Sequence, residues 1–200
     1  MSFCLEKGGL LSMGEIVEID ESSGEIPGGF IYNCYEWTET IVEAIIPVVF
    51  ILAFVFRIVS VSGESMLNTL HNMDKVLVIE WYYKPKNGDV VVIRKGQNLD
   101  EPLIKRVIAT EGQTLEIDFS TGTVTVDGEL LEEIYIKEKM WLREDGDIPQ
   151  KIPKGYSFVM GDNRNNSLDS RSKAVGLIKN EDIKGKAAFV VFPFNRIKSI

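Results

Sequence analysis

The side chains in this sequence that could perform nucleophilic catalysis are serines and lysines. Such catalysis needs a nucleophile, a base that removes its proton, and hydrogen-bond donors for the oxyanion. A histidine base is disfavoured, because His71, the sole histidine, lies six residues after Ser65 in a polar stretch typical of a surface loop. Cys4 and Cys34 lack histidine partners and are predicted to be free thiols or an incidental pair. With so few ligands, the sequence predicts neither a metal site nor a cofactor.

A lysine can act as the base only where burial lowers its pKa from about 10.4 in water. Lys105 lies in PLIKRVIA, an apolar stretch typical of a β-strand. In a strand, Lys105 shares a face with Leu103 and Val107, whereas Arg106 points to the opposite face. The pattern predicts a lysine on an apolar surface, and a strand lysine that reaches solvent is the alternative.

Two hydroxyl-rich segments could supply the nucleophile. The first, VSGESMLNTL from Val61 to Leu70, directly follows the most apolar part of the chain. The second, GDNRNNSLDSR from Gly161 to Arg171, combines glycine, asparagine, both signs of charge and two serines. Its composition fits either a solvated turn or an ordered network of polar side chains.

A further serine pattern, from Ser170 to Lys173, matches the S-x-x-K motif of penicillin-binding enzymes. In those enzymes the motif lies on a helix and acts with S-D-N and K-T-G segments elsewhere in the chain. Neither segment occurs in this sequence, nor does the G-x-S-x-G motif of the hydrolase elbow. We therefore interpret the S-x-x-K match as coincidental.

The elements that must position these residues begin with an acidic leader, residues 1–40. It contains eight aspartate or glutamate residues against one lysine, within a formal net charge of −8 for all 200 residues. We expect this leader to be cytoplasmic and poorly ordered. The remainder is nearly neutral and has no basic patch, so nucleic acid is not an expected partner.

Residues 41–61, IVEAIIPVVFILAFVFRIVSV, form the most apolar segment. As a helix, about 21 residues extend roughly 31 Å, which matches a hydrocarbon core of about 30 Å. Arg57 can extend toward the headgroups, and Pro47 is tolerated inside a membrane helix. The segment predicts a single transmembrane helix in a lipid bilayer. A buried helix of a soluble protein is disfavoured because the segment is apolar on all sides.

Residues 62–200 are predicted to form a mainly β domain. Short apolar or alternating runs separated by turn residues predict strands, and VTVDGEL predicts a hairpin with a type I′ turn at Asp127 and Gly128. Only residues 129–140 and 179–183 have brief helical patterns. The predicted strands are Val76–Glu80, Val90–Ile93, Leu103–Ile108, Thr114–Ile117, Val124–Val126, Ser157–Met160 and Ala187–Phe192.

Four features occur in a fixed order: the apolar anchor, SGESM, IKRV, whose lysine lies 40 residues after the serine, and GDNRNNSLDSR. Together they resemble bacterial type I signal peptidase, the membrane-anchored Ser/Lys protease that trims secretory preproteins. The resemblance covers roughly residues 38–196 and is closest to the small Gram-positive form. It implies a compact antiparallel β domain of the signal-peptidase type, tethered by one N-terminal transmembrane helix.

The resemblance implies a role for each matching position. Ser65 would be the nucleophile and Lys105 its general base, with Ser167 hydrogen-bonded to the lysine amine. The Ser65 backbone N–H would donate to the oxyanion. Some members add a serine hydroxyl from a position that is Gly63 here. The supporting residues would be Asp162, paired with Arg106, together with Asp169 and Arg171, and the substrate-pocket neighbours would be Met66, Leu103 and Ile104.

Two positions depart from the family pattern. Asn68 stands where the family usually has proline in S-M-x-P-T-L, and ATEGQ stands where it usually has G-x-P-G-D. Both changes fall on loops and leave the predicted nucleophile and base in place. The resemblance does not account for the acidic leader.

The resemblance also implies partners and a location. The substrates would be secretory preproteins with small residues at the first and third positions before the cleaved bond. The protein would span the cell membrane once, with its catalytic domain on the extracytoplasmic side. Two alternatives are a self-cleaving repressor-type Ser/Lys protease, for which no DNA-binding region is visible, and a non-catalytic β module that serves surface or pilus assembly.

Overall fold

The computed structural model describes residues 28–94 and 101–200. It divides into two compact units, Met1–Ile46 and Pro47–Ile200, which we describe separately. The described part of the first unit is helical and belongs to α1, which runs from Gly28 to Val55 and contains Pro47. Its segment Cys34–Val55 has a mean hydropathy of 2.1 and is not buried against the described residues. By length and composition, this helix could cross a membrane.

The predicted helix of residues 41–61 extends too far at its C-terminal end, and the observed helix also starts before residue 41. The helix already begins at Gly28, so residues 28–40 of the predicted leader are helical, while residues 1–27 lie outside the described residues. At the other end, residues 56–60 form a strand, and the N–H of Val61 donates to Asp74 O at 2.8 Å. The β domain therefore begins at residue 56, not 62. An apolar run cannot by itself reveal where a helix gives way to a strand.

The second unit is built mainly from antiparallel strands. Its large sheet has the order β1-β2-β10-β3-β4-β8-β9, with β11 beside β10, and a small sheet has the order β5-β6-β7. The strands are β1 Phe56–Ser60, β2 Lys75–Ile79, β3 Val90–Ile93, β4 Leu103–Thr110, β5 Leu115–Asp118, β6 Thr123–Val126, β7 Glu129–Leu130, β8 Tyr156–Met160, β9 Ile178–Lys179, β10 Ile183–Phe192 and β11 Lys198–Ser199.

All seven predicted strands are confirmed, with ends that shift by a few residues. The predicted turn is also confirmed, because Asp127 and Gly128 have φ angles of 52° and 82° and connect β6 to β7. The predicted helical pattern at 129–140 is wrong, since this stretch contains β7 and then only turns. The pattern at 179–183 corresponds to a 3-10 helix, Asn180–Asp182. A second 3-10 helix spans Phe194–Arg196.

Three clusters of buried apolar side chains hold the sheets in place. One lies under β1, β2, β3 and β10 and includes Met66 and Leu70 from the loop after β1. Another joins the small sheet to β4 and β8 through residues such as Val124 and Phe158. The third packs Val107 of β4 with β3, β8 and β10. Strand β4 therefore has packed neighbours on both faces, which fixes its position.

Candidate active site

Ser65 lies in a tight turn that follows β1. The N–H of Leu67 donates to Glu64 O at 3.2 Å, and the N–H of Leu70 donates to Met66 O at 2.8 Å. Met66 and Leu70 are buried in the first apolar cluster. These two side chains anchor the turn, and Ser65, just before them, is partly exposed and lines a cleft.

The side chain of Lys105 contacts the side chain of Ser65. Strand β4 carries Lys105 opposite Val91 of β3, and the lysine is only 3% exposed. Its Nζ is hydrogen-bonded to Ser65 Oγ at 2.6 Å. The structure thus brings together the two residues that the sequence predicts as nucleophile and base.

The environment of Lys105 favours its neutral form. Burial is the largest effect and lowers the pKa of Lys105 from 10.5 to about 8. The positive charge of Arg171 acts in the same direction, while Asp169 and Asp162 raise the pKa. The net result is an amine that can release its proton near neutral pH.

The segment Gly161–Arg171, predicted as either a solvated turn or an ordered network, is an ordered and buried network. Arg171 Nε and Nη2 donate to the two oxygens of Asp169, each at 2.8 Å, and both side chains are fully buried. Arg106 Nε and Nη2 donate to the two oxygens of Asp162 at 2.8 and 2.7 Å. The predicted pairing of Asp162 with Arg106 is therefore present.

Two further residues connect this network to the turn that carries Ser65. The N–H of Asn163 donates to Ser65 O at 2.9 Å, and its Nδ2 donates to Glu64 O at 3.1 Å. Thr69 Oγ1 donates to Asp162 Oδ2. Neither residue was predicted from the sequence. They lie inside the two motifs, but a motif does not reveal which backbone atoms its side chains will contact.

Ser167 does not make its predicted contact. Its Oγ is buried and has no hydrogen-bond partner among the described residues, so the bond to Lys105 is absent from this structure. The side chain lies against Gly161, where a Cβ atom would collide with it. The close approach of this glycine leaves room for Ser167 but does not direct its hydroxyl toward the amine.

The backbone near Ser65 offers one unoccupied donor. Within the described residues, the N–H of Ser65 makes no hydrogen bond. The N–H of Gly63 is already donated to Asn72 Oδ1 at 3.1 Å, and Gly63 has a φ of 89°. Of the two predicted oxyanion positions, only the Ser65 N–H is therefore available.

A cleft of about 230 Å³ opens beside Ser65 and Lys105. Among the described residues, positions 103–105 of β4 pair with β3 only, because pairing with β8 begins at Arg106. On the other side of the cleft, β1 pairs with β2 alone in the described part of the chain. Two strands with one unpaired edge each thus border the same cleft. It is also lined by the predicted pocket residues Met66, Leu103 and Ile104.

The other candidate sites are not assembled. His71 contacts Asp74 and Arg196 instead of Ser65. Ser170 Oγ accepts the N–H of Val159 at 3.0 Å, and Lys173 is exposed. Within residues 28–94 and 101–200, no group of three or more histidine, cysteine or acidic side chains could hold a metal ion.

A serine hydroxyl in contact with a buried lysine thus lies at a cleft of an antiparallel β domain. The family model described as "Signal peptidase, peptidase S26" matches residues 34–192. The chain therefore belongs to the signal peptidase family, peptidase S26, and is a serine endopeptidase.

Two Bacillus relatives agree with this membership. "Signal peptidase I T" of Bacillus subtilis (strain 168) is 37% identical over 83% of this chain and 90% of its own length. "Signal peptidase I" of Bacillus licheniformis is 34% identical over 83% of this chain and 92% of its own length. The chain also matches the crystal structure of a signal peptidase I from Enterococcus faecalis V583, with 26% sequence identity and a TM-score of 0.44. The match covers 52% of this chain and 97% of the Enterococcus chain.

Proposed function

We propose that this chain is a membrane-bound endopeptidase that removes signal peptides from secreted preproteins, with Ser65 as nucleophile and Lys105 as general base. The observation that carries the proposal is the 2.6 Å contact between Lys105 Nζ and Ser65 Oγ, made by a lysine that is 3% exposed. A lysine desolvated in this way can accept the proton of the hydroxyl it touches.

In the first half of the proposed reaction, Ser65 Oγ attacks the scissile carbonyl carbon and Lys105 Nζ takes the hydroxyl proton. The negative charge that develops on the carbonyl oxygen is stabilised by the free N–H of Ser65. The C–N bond then breaks, and Lys105 returns its proton to the departing amine. The mature protein leaves, and the signal peptide remains attached to Ser65 as an ester.

In the second half, Lys105 takes a proton from a water molecule, which attacks the ester carbon. The bond between that carbon and Ser65 Oγ breaks, and the serine recovers its proton from Lys105. The signal peptide leaves as a carboxylic acid, and the enzyme returns to its starting state. One lysine therefore serves as base and as acid in both halves.

The cleft supports a substrate bound as an added β-strand. Its two borders, β1 and residues 103–105, each have an unpaired edge that can hydrogen-bond an extended peptide. In an extended peptide, the first and third residues before the cleaved bond point to the same side. A cleft of about 230 Å³ lined by Met66, Leu103 and Ile104 fits small side chains at those positions.

The helix supports a location at the cell membrane. Its segment Cys34–Val55 is long and apolar enough to span a bilayer, and β1 follows directly at Phe56. Ser65 comes only ten residues after the helix ends, so it would act close to the membrane surface. A signal peptide leaving the bilayer on the extracytoplasmic side would present its cleavage site at a similar level.

The proposal is tested by trapping the covalent intermediate. The full-length protein in detergent is incubated with a serine-directed acylating inhibitor, and the adduct is located by mass spectrometry. We expect one adduct, on Ser65, that forms in parallel with the loss of preprotein cleavage. An adduct on Ser170, or cleavage that persists after complete labelling, would contradict the proposal.

The pH dependence of cleavage is expected to follow the neutral form of Lys105. Burial lowers the pKa of Lys105 to about 8. Asp169 and Asp162 raise this pKa, and Arg171 lowers it. Because only the neutral amine can accept a proton, kcat/KM should fall about tenfold per pH unit on the acidic side of this value. The profile is measured with a preprotein without ionisable groups near the bond. A limb near the ordinary lysine pKa would show that the base is solvated.

A further inference from the structure

A segment without helix or strand, Leu131–Asp147, covers the outside of the polar network, and we name it the cover segment. The N–H of Lys137 donates to Asp162 O at 3.0 Å, and the N–H of Gly146 donates to Arg171 O at 2.7 Å. At Gly146, a Cβ atom would collide with that same carbonyl. The cover segment is therefore pressed closely against the residues that surround Lys105.

Tyr135 of the cover segment lies close to two arginines. The guanidinium carbon of Arg106 is 4.0 Å from the centroid of the Tyr135 ring, and that of Arg164 is 6.0 Å away. A cation at such a distance over an aromatic face is attracted to it, and more strongly where water is excluded. Tyr135 is partly buried, and Arg106 and Arg164 are both buried.

Arg106 is the link from this ring to the catalytic pair. It follows Lys105 in β4, it holds both oxygens of Asp162, and its Nη1 donates to Gly88 O at 2.6 Å. Asp162 in turn accepts a hydrogen bond from Thr69, which lies in the turn that carries Ser65. The strand of the base and the turn of the nucleophile thus meet at one arginine–carboxylate pair.

We propose that Tyr135 is a positioning residue, whose ring face holds the Arg106 guanidinium flat against Asp162 and so keeps Ser65 and Lys105 in contact. This proposal rests on the proposed function of the Ser65–Lys105 pair. Loss of the ring would free Arg106 to turn away from the carboxylate. Asp162 would then no longer be held in place, and Thr69, in the turn that carries Ser65, would lose its fixed acceptor.

The ring, and not the phenol hydroxyl, carries this role. The Tyr135 hydroxyl has one hydrogen-bond partner among the described residues, Glu133, at a long 3.4 Å. Arg164 is bonded to Glu133 independently at 2.6 Å. Burial raises the pKa of Tyr135 to about 12, so the phenol stays neutral through the working pH range. A phenylalanine at this position should therefore serve as well as the tyrosine.

The test compares Tyr135→Leu with Tyr135→Phe in the full-length protein, measured for preprotein cleavage and for thermal unfolding. We expect Tyr135→Leu to lower kcat by about thirtyfold with little change in KM, and Tyr135→Phe to stay within about twofold of the parent. The acidic limb of the pH profile should move upward in Tyr135→Leu. If Arg106 neutralises Asp162 less well, the negative charge of Asp162 raises the pKa of Lys105 further. The effects of Asp169 and Arg171 on Lys105 stay as they are.

The matched control is Tyr156→Leu, the same substitution at a partly buried tyrosine of β8 that packs against the second apolar cluster. Tyr156→Leu should lower the thermal stability as much as Tyr135→Leu does, but it should leave the acidic limb of the pH profile in place. Equal kcat losses in the two leucine variants, or a Tyr135→Phe variant as weak as Tyr135→Leu, would overturn the proposal. A parent enzyme that loses no activity when Ser65 is acylated would instead overturn the proposed function, so the two failures are distinct.

Discussion

Replacing Lys105 by methionine is expected to lower preprotein cleavage by at least about a thousandfold and, at the same time, to stabilise the folded protein. Methionine has a similar length and fits an apolar site, but it has no amine to accept the Ser65 proton. Lys105 Nζ lies 2.6 Å from Ser65 Oγ, and Lys105 is 3% exposed. The substitution therefore removes the buried amine that we propose as the base.

The gain in stability follows from the lowered pKa. The unfolded chain keeps the Lys105 proton up to about pH 10.5, whereas the folded chain releases it near pH 8. Below pH 8 both states are protonated, and the folded state bears the full cost of a buried charge, about 3 kcal/mol. Between pH 8 and 10.5 the folded state gains stability as pH rises. Lys105→Met should remove both the cost and this pH dependence.

The measurement combines turnover with urea unfolding at pH 7 and pH 10, in detergent. Lys173→Met is the matched control, because Lys173 is exposed and should change neither quantity. Retained turnover in Lys105→Met would remove the lysine from the mechanism. Turnover lost together with stability at pH 7 would make the amine a structural group.

Replacing Arg171 by methionine is expected to lower the free energy of unfolding by about 3–5 kcal/mol. The change leaves the fully buried carboxylate of Asp169 without the two 2.8 Å hydrogen bonds that neutralise it. It also removes the bond from Arg171 Nη2 to Arg164 O, at 2.7 Å. Much of the cost comes from the charge left behind, since Asp169 cannot reach water in the folded state.

Arg57→Met provides the comparison for this buried pair. Arg57 of β1 is also ion-paired, with Glu80 at 3.2 Å, but its side chain is 58% exposed. An exposed pair contributes less than about 1 kcal/mol, so this variant should be nearly as stable as the parent. Both variants are measured by urea unfolding at pH 7. Equal losses of unfolding free energy in the two variants would mean that burial does not make the Asp169–Arg171 pair more costly to break than an exposed pair.

Local patterns were sufficient to predict most of the sheet, whereas the pairing of Ser65 with Lys105 was an implication of the family resemblance. The strand that carries Lys105 was recognisable from its short apolar runs on either side of Lys105 and Arg106, and the SGESM motif suggested Ser65 as the partner through the resemblance. The break between α1 and β1 was not predictable, because Phe56, Ile58 and Val59 continue the apolar run of the helix without a turn residue between them. Only its pairing with β2 shows it to be a strand.

The supporting contacts depend on distances along the chain that no local pattern encodes. Asn163 reaches Glu64 across 99 positions, and Arg106 reaches Asp162 across 56. Tyr135 lies in a segment whose composition suggested a short helix and gave no sign of a partner for Arg106. Ser167 illustrates the opposite case, since its position in the motif implied a bond that the packing against Gly161 does not form.

The direct succession of α1 and β1 has a mechanical consequence. Strand β1 starts at the residue after the helix ends, and it is locked into the sheet along all five of its positions. Within the β domain, this pairing fixes the start of the turn that carries Ser65. The proposed nucleophile therefore follows a strand that is held in the sheet and not a flexible linker.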